Sequence, residues 1–262
     1  MTDYLRDLRD EGQTLTEQVA ETLREAIASG DLNPGDRVPG ENKLIARFGV
    51  NRYTAREALK HLIQEGLITV EASRGTFVRT PRTLKRLGMS RYARSRWKAA
   101  HHTAILSEEA SAQGLIAART IGELGEVEPP VVVAEKLRTA PGEKVWVRRR
   151  TIRLEDRLHQ LADSYYPLDV VAGTLLTKED SGSGGDFACL ARADHEPSEI
   201  DEEWTARMPT KSEAVALSLP SATPVLELTR TIYDQNGRPV EVMLSVVDAS
   251  AIRLDYRFSV PD

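Results

Sequence analysis

Residues 41–79 decide the fold of the first part of the chain, and they read ENKLIARFGV NRYTAREALK HLIQEGLITV EASRGTFVR. Apolar residues recur every three or four positions in two short stretches, which predicts one helix over 41–48 and a second over Arg52–Glu65. Gly49–Val50 supplies a sharp turn between them, and Asn51 is a residue type that caps helix N-termini. Two short helices that meet at a glycine-containing turn predict a helix-turn-helix.

The segments on either side extend this motif. Upstream, Thr14 and Glu17 have the spacing of a capping box, and the apolar residues that follow predict a helix that ends near Gly30. Downstream, Leu67–Val70 and Gly75–Arg79 are two brief β segments joined by a short turn, which predicts a hairpin. Three helices followed by a hairpin describe a winged helix, in which the hairpin is the wing.

The outward side of the second helix of the motif carries side chains that suit duplex DNA, namely Arg52, Tyr53, Thr54, Arg56 and Lys60. Residues near the N-terminus of such a helix reach base edges in the major groove. Arginine can hold O6 and N7 of guanine together, so we expect Arg52 and Arg56 to read bases and Thr54 and Lys60 to contact phosphates. In the alternative interpretation, these residues are only the solvated side of an amphipathic helix.

Charge is unevenly distributed along the chain. Residues 42–80 hold seven basic and three acidic groups, and residues 81–98 hold seven basic groups and no acidic one, although the net charge is -5. A continuous basic zone inside an acidic protein is typical of a surface that binds a polyanion such as the DNA backbone. A solvated charged face followed by a basic linker is the alternative that charge alone leaves open.

Composition narrows the function classes. The chain has 262 residues, 40% hydrophobic and 29% charged, which is typical of a globular protein of one large or two modest domains. No apolar stretch approaches the length of a membrane span, and the polar N-terminus lacks the apolar core of a secretory signal, so we expect a cytoplasmic protein without a membrane partner. One cysteine excludes an internal disulfide, and five scattered histidines lack ligand spacing, so we expect neither a metal nor a cofactor.

Beyond residue 80 the pattern changes. The arginine-rich segment 81–97 is expected to be a basic linker between a DNA-binding domain over 1–80 and a larger domain over 98–262. In the larger domain, periodicity and caps predict helices over Leu106–Gln113, Val131–Leu137, Asp186–Ala193 and 210–217. Alternation predicts strands over Gly114–Glu128, Lys144–Leu154, Leu158–Tyr166, Pro197–Ala206, Val225–Tyr233, Pro239–Val247 and Leu254–Val260. Strands outnumber helices, so the domain is predicted to be α+β, with a mainly antiparallel sheet and flanking helices.

The N-terminal motifs closely resemble the winged-helix domain of the GntR family of transcription regulators; they lie at Gly30–Pro39, Phe48–Leu59, Glu65–Ile68 and Gly75–Val78. The resemblance implies DNA contacts from the helix residues already named and from a wing at Arg74, Gly75 and Thr76 that enters the minor groove. Asn42 stands where the family often has arginine, and Asn51 where it usually has serine or threonine. We therefore expect both to contact DNA, at an operator that differs from the commonest family site.

The larger domain is similar to the UTRA domain of the HutC subfamily, whose fold is shared with chorismate lyase. Similar stretches follow one another in order at Arg91–Tyr92, Ala134–Leu137, Val147–Arg150, Ala162–Pro167, Ala206–Thr210, Thr223–Arg230 and Gly237–Glu241. The resemblance implies a domain that binds a small effector and mediates dimerisation.

Candidate effector-binding residues lie on the predicted strands of this domain. Arg148 and Arg150 point to the same face of a strand, where two guanidinium groups can clamp a carboxylate or a phosphate. A charge-protected edge strand is the alternative. The resemblance implies that these arginines hold the anionic part of an effector, that Ser164 occupies a polar strand position, and that Glu241 accepts ligand hydroxyl or amine groups. Gly184 and Gly185 precede a short helix whose N-terminus can cradle an anion, although such a stretch is often only a loop.

Together these features predict a homodimeric transcription regulator, a repressor, that binds a palindromic double-stranded DNA operator and is controlled by a small anionic metabolite. Two alternatives stay open. One is an enzyme of the chorismate-lyase-like fold fused to a DNA-binding module; we expect no enzyme, because the sequence lacks a P-loop, a zinc-binding histidine pair and a nucleophile elbow. The other is a ligand-independent DNA-binding protein whose larger domain only dimerises.

Overall fold

The computed structural model describes residues 5–8, 12–71, 73–79, 83–98, 105–155, 157–219 and 223–257. The chain divides into two compact units, one formed by Met1–Arg82 with Leu219–Thr223 and the other by Thr83–Ser218 with Pro224–Asp262. Each unit has its own hydrophobic core. Within the described ranges, none of the helices combines the length and the apolar character that crossing a membrane requires.

The N-terminal unit is a winged helix. Its elements are α1 (Leu15–Ser29), α2 (Glu41–Phe48), α3 (Arg52–Gln64) and an antiparallel hairpin of β1 (Ile68–Glu71) and β2 (Gly75–Val78). The hydroxyl of Thr14 caps α1 by accepting a hydrogen bond from Glu17 N, and Gly30 ends the helix in the left-handed conformation. The predicted helix-turn-helix and wing are therefore confirmed, with nearly the same boundaries.

The apolar sides of the three helices meet in one core. Val19, Leu23, Leu44 and Leu62 are fully buried there, because residues three or four apart lie on the same side of a helix. Burial of each such side chain contributes about 1.5–3 kcal/mol. This packing fixes which side of α3 faces solvent, and that side carries the predicted DNA-contacting arginines.

The C-terminal unit contains a six-stranded antiparallel sheet in the order β4-β5-β6-β9-β8-β7. The elements in chain order are β3 (Leu84–Leu87), α4 (Ile105–Ser111), β4 (Ala117–Val127), α5 (Val131–Leu137), β5 (Val145–Leu154), β6 (Arg157–Pro167), α6 (Leu168–Val171), α7 (Gly185–Arg192), β7 (Pro197–Arg207), α8 (Lys211–Ala216), β8 (Val225–Asp234), β9 (Pro239–Asp248) and β10 (Ile252–Asp255). The predicted α+β class and mainly antiparallel sheet are therefore confirmed.

Alternation along the strands divides the side chains between two faces of the sheet. One face carries Val145 and Val147, which pack against Val133 of α5. The other face carries Tyr166, which packs with Phe187 of α7. Part of this second face is not filled by side chains and forms a partly open cavity.

The segment after the winged helix differs from the predicted linker. Leu84–Leu87 form β3, which pairs in parallel with β10, and short 3₁₀ turns continue the ordered chain to Arg96. Arg86 is buried and forms an ion pair with Glu202, which is distant in sequence. Residues 84–96 are thus folded into the C-terminal unit, and a charge count misses this because a buried ion pair and solvated charges look alike in sequence. The domain limits 1–80 and 98–262 stay a prediction.

The end of the chain also differs from expectation. The final strand, predicted over Leu254–Val260, lies at Ile252–Asp255, and residues 258–260 fall outside the described part. No tight turn joins parallel partners, so the sequence carries no local signal for the pairing of β10 with β3.

Candidate functional site

The first turn of α3 presents an exposed group of long side chains. The side chains of Arg52 and Arg56 are 68% and 63% exposed, and Tyr53 is exposed beside them. Asn51 caps the helix, because its Oδ1 accepts a hydrogen bond from Thr54 N at 2.8 Å. The cap and the buried opposite side of α3 together hold this group outward at a helix N-terminus.

Glu41, the first residue of α2, lies between the two arginines. Its carboxylate accepts a hydrogen bond from Arg56 Nε at 2.8 Å and lies 3.8 Å from Arg52 Nε. Arg52 Nη2 also donates to Asn42 Oδ1 at 3.5 Å. The hydrogen bond from Arg56 holds the pKa of Glu41 below its ordinary value, so Glu41 stays ionised and orients both guanidinium groups on one surface.

The wing adds a further arginine to the N-terminal unit. Arg74 is exposed, pairs with Glu71 at 2.5 Å and lies 5.6 Å from the ring of Phe77. Gly75 has φ of 120°, and a Cβ there would lie 3.0 Å from the guanidinium of Arg37. The turn therefore requires glycine, and it brings in Arg37, which sequence reasoning did not select.

Not every predicted DNA-contacting residue offers its side chain to solvent. Thr54 is only 8% exposed, so its hydroxyl has little access to a phosphate. Lys60 is exposed and lies 3.2 Å from Glu57, one turn earlier in α3. Thr76 is half-buried in the hairpin. The exposed arginines, rather than the threonines, form the accessible part of this surface.

In the C-terminal unit, the cavity lies on the face of the sheet that carries Tyr166. Its volume is about 110 Å³, measured for the centres of water-sized molecules. The sheet, including its edge strand β4, supplies the floor, and the segments around β3, α4 and the start of α7 supply the other walls. The lining includes Arg86, Arg91, Arg119, Arg150, His159, Ala162, Gly184, Asp186, Trp204, Leu228, Arg230 and Met243. The cavity therefore combines a largely apolar floor with several buried arginines.

Arg150 is the predicted effector-binding arginine that lines this cavity. Its Nη1 donates to Asp186 Oδ2 at 2.5 Å, and its Nη2 donates to Ser164 Oγ. Burial is the largest influence on the pKa of Arg150 and lowers it, but Asp186, Tyr166 and Glu241 together outweigh burial, so the pKa is raised. Burial alone would raise the pKa of Asp186, and the charges of Arg150 and Arg148 instead hold it well below its ordinary range.

A chain of buried polar contacts continues from Arg150 through the sheet. Ser164 Oγ donates to Glu241 Oε1 at 2.7 Å, and Arg230 Nη2 donates to the same oxygen at 2.9 Å. The structure thus brings together Arg150, Ser164 and Glu241, as the sequence predicts, and adds Arg230. Neither Ser164 nor Glu241 is among the residues that line the cavity, and they contact it through Arg150 and Arg230.

Arg148 does not occupy the position expected of a second clamp arginine. Its guanidinium donates to the backbone carbonyls of Leu176, Lys178 and Glu179, and it is absent from the cavity lining. The side chain is completely buried. Arg148 and Arg150 do share a strand face, but the loop after α6 lies over Arg148, so the predicted arginine pair is reduced to Arg150.

Gly184 and Gly185 line the cavity at the start of α7, and both have positive φ. A Cβ at Gly184 would lie 2.4 Å from the carbonyl oxygen of Trp97. This close approach of two backbone segments requires glycine. It also directs the N-terminus of α7 toward the cavity. The first N–H groups of a helix have no partner within the helix.

Sequence reasoning missed most of the remaining polar lining. Arg86 pairs with Glu202, Arg91 with Glu109 at 3.2 Å, and Arg119 lies on the edge strand β4. These arginines come from three separate segments, so spacing along the chain carries no signal for them. Within the described part of the chain, no group of three His, Cys, Asp or Glu side chains is arranged to hold a metal ion.

A winged helix with exposed arginines, joined to a second domain that contains a cavity, is the architecture of a bacterial transcription regulator. Residues 15–78 match the bacterial regulatory proteins of the gntR family, and residues 112–253 match the UTRA domain. The chain belongs to the GntR family of transcription regulators and has the GntR–UTRA architecture of the HutC subfamily. The matched families are regulators and not enzymes, so the chain is a regulator and not an enzyme.

Individual relatives agree with this assignment. The chain is 30% identical over 249 residues to an uncharacterized HTH-type transcriptional regulator of Streptomyces coelicolor, covering 94% of this chain and 93% of the relative. It is 26% identical to the HTH-type transcriptional repressor NagR of Bacillus subtilis, covering 87% and 88%. The crystal structure of a GntR-family regulator has a TM-score of 0.58 at 29% identity, covering 95% of this chain and 99% of that one. PhnF of Mycobacterium smegmatis, at 22% identity and a TM-score of 0.59, covers 93% and 100% and shares the fold.

Proposed function

We propose that this regulator is a homodimeric repressor that acts in the cytoplasm, binds a palindromic DNA operator and is controlled by a small anionic metabolite. The observation that carries the DNA-binding half is the outward placement of Arg52 and Arg56 in the first turn of α3. Residues at that point of a recognition helix reach base edges when the helix lies in the major groove. NagR, one of the relatives, is named a repressor, which supports the same direction of control.

Within this proposal the exposed residues contact different parts of the DNA. Arg52 and Arg56 read bases, with Asn42, Asn51 and Tyr53 beside them, while Lys60 contacts phosphate. The wing, at Arg74, Gly75 and Thr76, lies along the minor groove. Thr54 is assigned a structural role under the cap of α3, since its side chain is nearly buried. Two copies of the winged helix then read the two halves of a palindrome.

The cavity of the C-terminal unit is the proposed effector site. Arg150, Gly184 and Gly185 are assigned to its polar wall, Ser164 to the support of Arg150, and Glu241 to the support of Arg230. Arg148 is assigned to holding the loop after α6, because its guanidinium is occupied by backbone carbonyls. Any effect of the ligand on operator affinity must be reciprocal, so operator DNA changes the effector's affinity by the same factor.

Operator binding by arginine variants tests the DNA-binding half. Genomic fragments retained by the purified chain are sequenced, and the shared site is used as a fluorescent duplex in anisotropy titrations. We expect Arg52→Ala and Arg56→Ala each to weaken binding roughly fivefold to 150-fold, the range for losing one bidentate base contact. Arg6→Ala is the matched control, because Arg6 is an exposed arginine of the same unit that pairs with Glu25 of α1. Undiminished affinity in both variants would reject the assignment.

The assembly is tested by mass in solution. A homodimer has twice the chain mass of 29.1 kDa, and light scattering at the concentrations used for operator binding measures it directly. A chain that remains monomeric at these concentrations and still binds the full palindromic duplex contradicts the homodimer.

A further inference from the structure

The buried arginines of the cavity are already neutralised by carboxylates of the same unit. Arg86 pairs with Glu202, Arg91 with Glu109, Arg150 with Asp186 and Arg230 with Glu241, and all of these side chains are largely or fully buried. Removing one partner of such a pair leaves a buried charge without compensation, which is costly. A ligand anion therefore gains little from these four arginines, and the interior of the cavity has almost no net charge.

Arg119 is the exception among the described arginines that line the cavity. Its nearest carboxylate is Asp180, at 3.8 Å, and Asp180 is 86% exposed, so this contact is weak and screened by water. Asp180 accepts a hydrogen bond from Gly182 N, which places Arg119 beside the loop that leads to Gly184 and the N-terminus of α7. One weakly paired cation beside a helix N-terminus suits one carboxylate, whereas a phosphate monoester carries a charge closer to two.

Much of the rest of the cavity wall is apolar. Ala162, Leu228 and Met243 form a cluster on the floor, with Ile152 and Trp204 packed against it. A ligand with many hydroxyl groups would lose its hydrogen bonds to water against this surface. A volume of about 110 Å³ holds roughly ten water-sized groups, at about 10–15 Å³ each. The wall therefore fits a small apolar body better than a sugar.

His159 supplies one polar group inside this apolar region. It is the extra residue of a β-bulge in β6, because Ile152 pairs with Gln160 and the next residue of β5 pairs with Leu158. The bulge lets His159 and Gln160 line the cavity together, whereas strict alternation would send one to the opposite face. His159 is 1% exposed, and neither ring nitrogen has a hydrogen-bond partner among the residues the structure describes.

Burial lowers the pKa of His159 to about 4, so the ring is neutral near pH 7 and offers one donor and one acceptor. Gln160 Nε2 donates to Ser245 Oγ at 2.6 Å. Arg119 pairs with Ile152, and Ile152 with Gln160, so Arg119 and His159 are separated by two strand spacings, about 10 Å.

Resting on the proposed effector function of this cavity, we propose that the effector is a monocarboxylic acid with a mostly apolar body of about ten non-hydrogen atoms. Its carboxylate lies at Arg119 and the N-terminus of α7, and a hydroxyl or carbonyl at its far end hydrogen-bonds His159. Sugar phosphates are the disfavoured class, since one weakly paired cation and a largely apolar wall match their charge and their hydroxyl groups poorly.

Four probes test the ligand class on the full chain: octanoate, 8-hydroxyoctanoate, octanamide and glucose 6-phosphate. Tryptophan emission, to which Trp204 of the cavity lining contributes, and release of the fluorescent operator are the two readouts. We expect 8-hydroxyoctanoate to bind about fivefold more tightly than octanoate, the value of one hydrogen bond. Octanoate should bind about tenfold more tightly than octanamide, which lacks the charge. Glucose 6-phosphate should leave both readouts unchanged.

Variants test the two anchors separately. His159→Phe should abolish the advantage of 8-hydroxyoctanoate while leaving the affinity for octanoate unchanged, a pattern that a merely structural role would not produce. Arg119→Gln should abolish the preference for octanoate over octanamide, and Arg119→Lys should retain part of it. Arg253→Gln is the control, because Arg253 is an exposed arginine of β10 outside the cavity lining.

Binding of glucose 6-phosphate while the acids have no effect overturns the ligand class, and so does silence of all four probes in a protein that still holds its operator. Unchanged preferences in the His159 and Arg119 variants overturn the placement. Failure of the proposed function is distinguishable from failure of the ligand class. Operator binding is measured first without any ligand, and a chain that does not bind its operator contradicts the proposed function itself.

Discussion

Mild acid should destabilise the C-terminal unit through His159. The unfolded chain takes up a proton at this histidine as the pH falls below its ordinary pKa of about 6.5. In the folded unit, burial is the main cause that lowers the pKa of His159 to about 4, with Arg157 and Arg91 acting in the same direction and Asp248 opposing them. Between pH 6.5 and 4 the unfolded state therefore binds more protons, and stability is lost as the pH falls through this window.

The size of the effect follows from the two pKa values. One pH unit of difference corresponds to about 1.4 kcal/mol, so lowering the pH from 7 to 5 should cost about 2 kcal/mol of unfolding free energy. Below pH 4 the loss levels off at about 3 kcal/mol, because both states are then protonated at this site. His159→Gln removes the titrating group and should remove this part of the acid sensitivity.

Urea unfolding followed by tryptophan emission measures the unfolding free energy of the C-terminal unit. All three tryptophans, Trp97, Trp146 and Trp204, lie in the C-terminal unit, so their emission does not report on the winged helix. The quantity to compare is the change in unfolding free energy between pH 7 and pH 5, in the unmodified chain and in His159→Gln. His61→Gln, in the N-terminal unit, is the control and should behave like the unmodified chain. Equal losses in all three proteins would contradict the assignment of this acid sensitivity to His159.

Other perturbations have expected outcomes of known direction. Gly184→Ala should destabilise the C-terminal unit by at least about 2 kcal/mol, since the added Cβ would lie 2.4 Å from a backbone oxygen. Gly142→Ala, also at positive φ but in open space, should cost about 1 kcal/mol in the same urea assay, and equal midpoints would contradict the steric argument. Arg148→Met should lower the unfolding free energy by roughly 3 kcal/mol, because backbone carbonyls lose a buried donor. The release of operator by ligand should be retained in this variant. Loss of that release without loss of stability would show that Arg148 belongs to the effector site. Asn51→Ala should lower the stability of the winged helix by about 1 kcal/mol in a circular dichroism melt, with Asn51→Ser close to the unmodified chain; an unchanged melt would contradict the cap.

Local signals in the sequence predict much of the secondary structure. Helix α8 begins where the capping box predicts, because Thr210 and Glu213 satisfy each other's backbone N–H groups within one turn. The hydrogen bond from Arg207 is the main reason that the pKa of Glu213 falls to about 2, so the cap remains charged at all ordinary pH values. Such features depend only on neighbours a few residues apart, and a single sequence contains all of that information.

The candidate site depends on contacts between distant segments, and these were harder to predict. Arg148 and Arg150 lie two residues apart on the same face of one strand. Backbone carbonyls of the loop after α6 bind Arg148, whereas Asp186 pairs with Arg150. Arg230 enters the cavity from a strand some eighty residues later, where nothing in the local pattern distinguishes it from a solvated arginine. His159 was missed because a β-bulge, which reverses the direction of a side chain, has no reliable signature in the sequence.

The parallel pair of β3 and β10 also has a mechanical consequence. Leu84 lies opposite Ile252 and Leu87 opposite Asp255, so the chain enters this unit at the start of one strand and leaves the pair at the end of the other. Tension between these two points pulls the strands past each other along their length, and the bonds between them resist in shear. In a hairpin pulled open from its end, the hydrogen bonds between the strands break one after another, whereas those between β3 and β10 have to break together.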